Sequence, residues 1–286
     1  MSNSVKVALI QNCAERDVAP SVAAVEPLIR MAAADHAQFI ILPEMVSMLE
    51  PNNAQVLKKT VPEADDVALK TFRGLAQETG SWILVGSLLF KEPGKSRVVN
   101  RSLLVDPTGA ITARYDKLHL FDVDVGDGQA YKESATVEPG ERAVVAATPW
   151  GLLGLSICYD LRFAYLYRAL AQAGASMLAV PAAFTYATGK AHWHVLARAR
   201  AIETGSFVLA PNQCGTHAEG RKTWGHSLIV NPWGEILADG GEEVGIVTAT
   251  LDLDLVAEAR RKIPALKHDR SFPAPGRPVL QSKAGE

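Results

Sequence analysis

Cysteine is scarce in this chain: Cys13, Cys158 and Cys214 are the three among 286 residues. No Cys-x-x-Cys pair occurs, which argues against a structural zinc site and a dithiol redox couple. An odd number of thiols fits a reducing compartment, so the expected location is cytoplasmic. The glycine loops that cradle phosphates, GxGxxG and GxxxxGK[ST], are missing, and no cofactor is expected. Neither charge sign dominates: 29 Lys and Arg against 31 Asp and Glu leave a formal net charge of −2. This disfavours a nucleic-acid-binding stripe or a membrane-binding face. No apolar run reaches the roughly 18 residues of a membrane span. The opening "MSNSVKVALIQN" lacks the charged start and long apolar stretch of a signal peptide. His192 and His194 are two residues apart, so on a helix they face different ways. They make a poor metal pair, and no metal is expected.

Apolar side chain is plentiful. Hydrophobic residues make up 48% and charged residues 21%, enough for a large core. Short apolar runs alternate with Ala-rich amphipathic stretches. The pattern predicts strands over 5–11, 38–44, 81–90, 152–158, 176–182 and 207–213, and helices over 22–36, 63–80, 164–174 and 190–205. Pro27 interrupts the first helix. Acidic residues open the second and Gly80 closes it, as dipole and capping rules favour. The alternation indicates an α/β protein.

Two segments match each other. "SLLVDPTGAITA" from Ser102 and "SLIVNPWGEILA" from Ser227 both fit S-L-[LI]-V-[DN]-P-x-G-x-I-x-A. The Asp/Asn-Pro-x-Gly core is turn chemistry, and apolar flanks make each segment a β-hairpin. Each hairpin closes a strand–helix–strand–helix–strand series. Two halves of like topology follow, related by an internal pseudo-two-fold, each a mixed sheet with helices on one face. The other face of each sheet needs burial. Packing sheet on sheet gives a four-layer α-β-β-α sandwich. No linker divides the halves, so one domain is expected over 1–270, with 271–286 as an extended arm or tail.

Reactive residue types interrupt the core pattern in three places. "FIILPEM" ends a strand at Glu44, "ARYDKLHLFD" places Lys117 after the first hairpin, and "LSICYD" ends a strand at Cys158. Ligand sites of α/β sheets lie at the carboxyl ends of strands. A free thiol is only a few per cent thiolate at neutral pH, so it needs a base. A carboxylate can take its proton and return it to a leaving amine. An ammonium can hold the carboxylate and stabilise an oxyanion, with the N–H after Cys158, at Tyr159, as a second donor. Such a site would cleave a carbon–nitrogen bond through a thioester.

The blocks "LPE" (42–44), "YDKLHLFDVDV" (115–125) and "GLSICYDLRF" (154–163) resemble the three signature blocks of the nitrilase superfamily of carbon–nitrogen hydrolases. The resemblance runs from "VALIQN" to "RRKIPALK" and includes "GKAHWHVLARARAIET" and "WGHSLIVNPWGE". It implies an αββα fold with Glu44 as general base, Lys117 as oxyanion stabiliser and Cys158 as nucleophile. It also implies a second glutamate that positions substrate, matched better by Glu133 than by Glu138, and assembly into at least a homodimer. Within the superfamily the chain looks most like the branch whose members hydrolyse ω-amides of α-keto acids or deaminated glutathione. "APNQCGTHAEGRKTWGHS" (210–227) favours the latter, whereas Lys190 and His194 depart from the branch pattern.

Both substrates are carboxylates bearing an amide. Arg162 is the candidate grip for the carboxylate, with a structural ion pair as its alternative. His119, Phe121 and Phe184 are expected in the pocket wall. His192 and Trp193 either line the pocket or pack within a helix face. Asp160 is expected to cap the helix after Cys158, and Cys13 and Cys214 to be inert. An N-carbamoyl amidohydrolase, a nitrilase, or a non-catalytic member that binds a metabolite are the alternative functions.

Overall fold

Val, Ile and Leu gather in short stretches bounded by turn residues, and in the computed structural model these stretches pair into two sheets. The structure describes residues 3–124 and 130–274. The first sheet contains β1 (Ser4–Gln11), β2 (Phe39–Ile41), β3 (Trp82–Lys91), β4 (Val98–Val105) and β5 (Ile111–Asp116). The second contains β6 (Val144–Thr148), β7 (Gly151–Leu155), β8 (Met177–Ala179), β9 (Phe207–Ala210), β10 (Leu228–Val230) and β11 (Ile236–Asp239). A last long strand, β12 (Gly245–Asp252), returns to the first sheet. The spatial orders are β12-β1-β2-β3-β4-β5 and β6-β7-β8-β9-β10-β11.

Strand sense repeats between the sheets. The β1–β2–β3 and β7–β8–β9 pairings are parallel, and the two pairings that follow each are antiparallel. The hairpins match in detail. Asp106 Oδ1 accepts the N–H groups of Thr108 and Ala110, and Asn231 Oδ1 accepts those of Trp233 and Glu235. Gly109 and Gly234 close the turns at φ +77° and +85°, a region open to glycine. Each half also gives up a strand. β6 follows the first hairpin yet pairs antiparallel with β7, and β12 follows the second hairpin yet pairs antiparallel with β1. The halves are therefore interlocked.

Among the described residues six helices flank the sheets: α1 (Val18–Ala34), α2 (Asn53–Lys59), α3 (Val67–Thr79), α4 (Ala164–Gln172), α5 (Tyr186–Thr204) and α6 (Asp254–Lys262). Period-2 alternation sorts the strand residues of the first sheet. Ala8, Ile10, Ile40, Ile83, Val85 and Leu103 pack against Val25 and Ile29 of α1 and Phe72 and Leu75 of α3. Val7, Leu9, Phe39, Ile41, Leu84 and Leu104 share a core with Leu153, Leu155, Met177 and Leu209 of the second sheet. Phe39 stacks on Trp150 across that interface, 5.8 Å between ring centroids. The layering is the expected α-β-β-α sandwich.

The structure corrects several element boundaries. α1 begins at Val18 and carries Pro27 inside it, on the exposed face, where a lost backbone bond is met by solvent. The helix expected over 63–80 splits into a 3₁₀ turn, Glu63–Asp65, and α3, whose N-cap Asp66 accepts the Leu69 N–H at 2.7 Å. The strands expected over 38–44 and 176–182 pair over three residues each. Residues 275–286, most of the expected tail, lie outside the described residues.

Candidate active site

β2 ends at Ile41, and Leu42-Pro43-Glu44 leave the ladder. The neighbouring turn of chain in β3 comes very close. A Cβ on Gly86 would lie 1.9 Å from the Leu42 carbonyl oxygen and 2.4 Å from that of Pro43, so only glycine fits. Lys117 follows β5 directly and is held through its backbone. Its N–H donates to Asn100 O at 2.9 Å, and its carbonyl accepts the Gly140 N–H at 2.8 Å. Cys158 sits after β7 with φ +48°, a left-handed conformation that costs a non-glycine residue about 1–3 kcal/mol. Its N–H donates to Pro181 O at 2.8 Å, and a 3₁₀ turn, Cys158–Arg162, begins there. Three strand ends thus deliver a carboxylate, an ammonium and a thiol to one place.

The side chains meet. Lys117 Nζ donates to Glu44 Oε1 at 2.8 Å and to Glu133 Oε2 at 2.8 Å. Glu44 Oε1 also accepts from Asn100 Nδ2 at 3.0 Å, and Glu44 Oε2 accepts the Ala183 N–H at 2.9 Å. The Cys158 thiol shares a cavity with the Glu44 carboxylate, near enough for each to shift the other's ionisation. All three groups are buried: Glu44 is 3%, Lys117 2% and Cys158 7% exposed. Glu133 Oε2 accepts the Phe121 N–H at 2.7 Å as well, so Glu133 is fixed from two sides.

Burial opposes the charge on Glu44, but Lys117 and the hydrogen bonds outweigh it and hold the carboxyl below its usual range. Burial likewise opposes the Lys117 ammonium, yet Glu133, Glu44 and Cys158 push its pKa well up. The thiol goes the other way. Burial and the Glu44 carboxylate raise Cys158 well above an ordinary cysteine, against the pull of Lys117. The resting arrangement is therefore carboxylate, ammonium and neutral thiol.

A cavity of about 260 Å³ opens onto this cluster. Glu44, Lys117, Cys158, Glu133, Tyr159, Phe121 and Phe184 line it. Four other sequence candidates do not. The Arg162 guanidinium lies 5.9 Å from the Tyr159 ring and 5.3 Å from the Phe184 ring, with a hydrogen bond to His192 Nδ1 at 3.3 Å. It has no carboxylate partner among the described residues, so the structural ion pair expected as its alternative is not seen. Its aromatic neighbours offered planar faces that cation stacking favours. His119 stacks on Phe163 at 3.6 Å and pairs with Asp160 at 2.6 Å. His192 is taken up by Arg162. Trp193 is fully buried behind Phe184 and donates its Nε1–H to His226 O at 2.7 Å.

Asn100 and Arg221 escaped the sequence reading, and Asp160 takes a different part from the one expected. Asn100 is completely buried and donates to both Glu44 and Glu133; a lone amide inside the strand "VVNRSLLV" is the signal that marks it. Asp160 accepts from Tyr115 Oη at 2.6 Å, Ile157 N at 2.8 Å and His119 N at 3.0 Å. It ties the end of β5 to the Cys158 turn, whereas α4 has no side-chain cap, so the capping of that helix expected of Asp160 is not seen. Arg221 lines the cavity from the polar stretch after Cys214, where nothing in the local pattern distinguishes it. His194, His226 and Asp239 form a separate cluster with ligand-type atoms within 4.8 Å, and both Asp239 oxygens already accept from the two imidazoles.

The fold and this geometry have counterparts among known proteins. The carbon-nitrogen hydrolase family profile matches residues 6–261. A deaminated glutathione amidase of Synechocystis is 42% identical over 265 residues, spanning 91% of this chain and 96% of the relative. The omega-amidase NIT2 of Homo sapiens is 35% identical over 268 residues, spanning 94% and 96%. The crystal structure of the C. elegans NitFhit protein superposes with a TM-score of 0.88 at 34% identity, covering 94% of this chain and 66% of that longer one. The chain belongs to the carbon-nitrogen hydrolase family.

Proposed function

We propose that Glu44, Lys117 and Cys158 hydrolyse the amide of a small carboxylate-bearing substrate. As the Cys158 sulfur attacks the amide carbon, Glu44 takes the thiol proton. The oxyanion of the tetrahedral intermediate faces the Lys117 ammonium and the Tyr159 N–H, which has no intrahelical acceptor at the start of its turn. Glu44 returns the proton to the departing nitrogen, ammonia leaves, and a thioester remains. Water, deprotonated by Glu44, then attacks the thioester. The carboxylic acid is released and the thiol re-forms. Glu133 holds Lys117 and, through the Phe121 N–H, the cavity wall.

One observation carries this reading: Glu44 bonds Lys117 with one oxygen and the Ala183 N–H with the other while its carboxylate meets the Cys158 thiol. The relatives named as deaminated glutathione amidase and omega-amidase favour a linear amide with a distal carboxylate over a carbamoyl compound or nitrile. Ammonia release from deaminated glutathione and from simple ω-amides, with Cys158→Ala as control, tests it. Carbon dioxide released alongside ammonia would instead point to an N-carbamoyl substrate.

The reading includes a cytoplasmic enzyme, without nucleic-acid or membrane partners, that works as at least a homodimer. Among the described residues, no helix is long and apolar enough to cross a membrane. Tyr186, Val195 and Ile202 are exposed apolar residues along α5, the kind of surface that a second copy covers. Light scattering on the purified protein measures the mass directly.

A further inference from the structure

His194, His226 and Asp239 meet in the second half, and none of them lines the cavity beside Cys158. Three elements supply them: His194 lies within α5, His226 two residues before β10, and Asp239 at the end of β11. The spacing of His192 and His194 offered no metal pair, but the partners of His194 come from the β10–β11 hairpin, up to 45 residues away. His194 Nε2 is 3.0 Å from Asp239 Oδ2, and His226 Nδ1 is 2.8 Å from Asp239 Oδ1. One nitrogen of each ring and one carboxylate oxygen all lie within 4.8 Å of one another. Two of the three residues are held in place by the fold. The His226 ring stacks on Trp224, 4.5 Å between centroids at 20°. Its N–H donates to Gly241 O, and its carbonyl accepts the Trp193 Nε1–H at 2.7 Å. Its φ of +51° is rare for a residue with a Cβ. Asp239 Oδ1 also accepts the Gly241 N–H at 2.9 Å. The side chains of His194, His226 and Asp239 are 31%, 20% and 34% exposed, so an ion from solvent can reach them.

We propose that His194, His226 and Asp239 bind one divalent metal ion of the zinc class, which clamps α5 to the β10–β11 hairpin. The site is independent of the amidase reading. Two imidazoles and a carboxylate suit Zn²⁺, Ni²⁺ or Cu²⁺, whereas Mg²⁺ and Ca²⁺ demand oxygen ligands. Around a tetrahedral ion with bonds of roughly 2.0–2.2 Å, ligand atoms stand roughly 3.3–3.5 Å apart. The two nitrogen–oxygen distances already come within about half an ångström of that. The ion takes the place of the two shared N–H protons. Each neutral imidazole then carries its proton on its other nitrogen and Asp239 stays a carboxylate, so protons and charge balance. Water completes the shell from the open side. α5 also carries Trp193, which packs on Phe184 of the cavity wall at 5.0 Å, so the clamp steadies that wall as well.

The test titrates Zn²⁺ by calorimetry into the full chain after stripping with EDTA, in a Cys158→Ala background so that this thiol takes no ion. One ion per chain is expected, and Mg²⁺ and Ca²⁺ should not displace it. His194→Gln and Asp239→Asn each remove a ligand. Each should weaken binding by more than the roughly 10- to 100-fold that loss of an outer partner costs. Either variant alone carries the test should the other fail to fold. Co²⁺ in place of Zn²⁺ reads the donor set: visible bands of a nitrogen- and oxygen-bound ion, without a near-ultraviolet thiolate charge-transfer band. In thermal melts, Zn²⁺ at about a hundred times its Kd should raise the unfolding midpoint by about 5 °C, and the same concentration should leave the variants unmoved. No binding up to millimolar Zn²⁺ overturns the site. So does binding that both variants retain, or a cobalt spectrum with a thiolate band, since Cys13 or Cys214 would then hold the ion. None of these measurements depends on turnover, so failure of the amidase reading would leave the result standing.

Discussion

A buried thiol beside a carboxylate does not ionise by itself, and this fixes how Cys158 must work. Burial and Glu44 both stabilise the neutral form, so in the proposed mechanism the sulfur becomes nucleophilic only as its proton moves to Glu44. The expected signature is the lack of a Cys158 thiolate ultraviolet band between pH 7 and 8, read as the difference between wild type and Cys158→Ala. A thiolate band of one equivalent would contradict the proton-transfer mechanism. Cys158→Ala should abolish turnover and leave the unfolding midpoint within a few degrees of wild type, because it removes one sulfur atom and the residue keeps its backbone. Glu44→Gln should lower kcat by about 10²- to 10⁴-fold through loss of the base, measured under saturating substrate. At this scale much was legible: an apolar run that stops at Glu44 or Cys158 marks a strand end aimed at a site. The bond between Tyr115 and Asp160 was not, because the two stand 45 residues apart and meet only in the fold.

Among the elements, the decisive joints are where one strand end leans on another. Gly86 lets β3 pass against the carbonyls of Leu42 and Pro43, and those carbonyls directly precede Glu44, the base of the proposed mechanism. Gly86→Ala must push backbone against backbone. We expect a loss of about 1–3 kcal/mol in stability and about 10²-fold in kcat/KM, as for a displacement of the base by an ångström. Gly74→Ala in α3 is the matched control. A Cβ there meets nothing within 4 Å, so helix propensity should stabilise it by about 0.5–1 kcal/mol with activity retained. Equal behaviour of the two variants in urea melts and steady-state rates would refute the contact argument. The helices and parallel strands could be read because their apolar periodicity is strong. β12 could not: "GIVTATLD" is an edge strand of mixed burial, and its partner lies more than 200 residues away in sequence. Nor could the break before α3, where Asp66 caps a helix that the acidic run seemed to begin earlier.

The whole molecule is held as one body by exchange between its halves, and His217 sits on such a junction. It stands between the first half, where its Nδ1–H donates to Ala14 O at 2.9 Å, and the second, where Nε2 accepts from Thr223 Oγ1 at 2.7 Å. Burial lowers its pKa from 6.5 to about 4, only partly countered by Ala14, and the nearby Arg221 charge adds to the depression. In the unfolded chain the imidazole takes up its proton near pH 6.5, whereas the folded chain refuses it until about pH 4. Between these limits the unfolded state binds more protons, so stability is complete above about pH 6.5 and falls as pH drops through that window. The largest loss from this one group is about 3 kcal/mol, reached near pH 4. Glu44 and Glu50, both held low in the fold, give up their contributions only below the ordinary glutamate range, so their acid losses fall under the His217 window. His217→Asn keeps a donor where Nδ1 stood and removes the titrating ring. Urea unfolding from pH 7 down to pH 4.5 should show a steep decline for wild type and a shallower one for His217→Asn. Parallel slopes would mean that the imidazole is protonated in the folded chain and that the junction tolerates its charge.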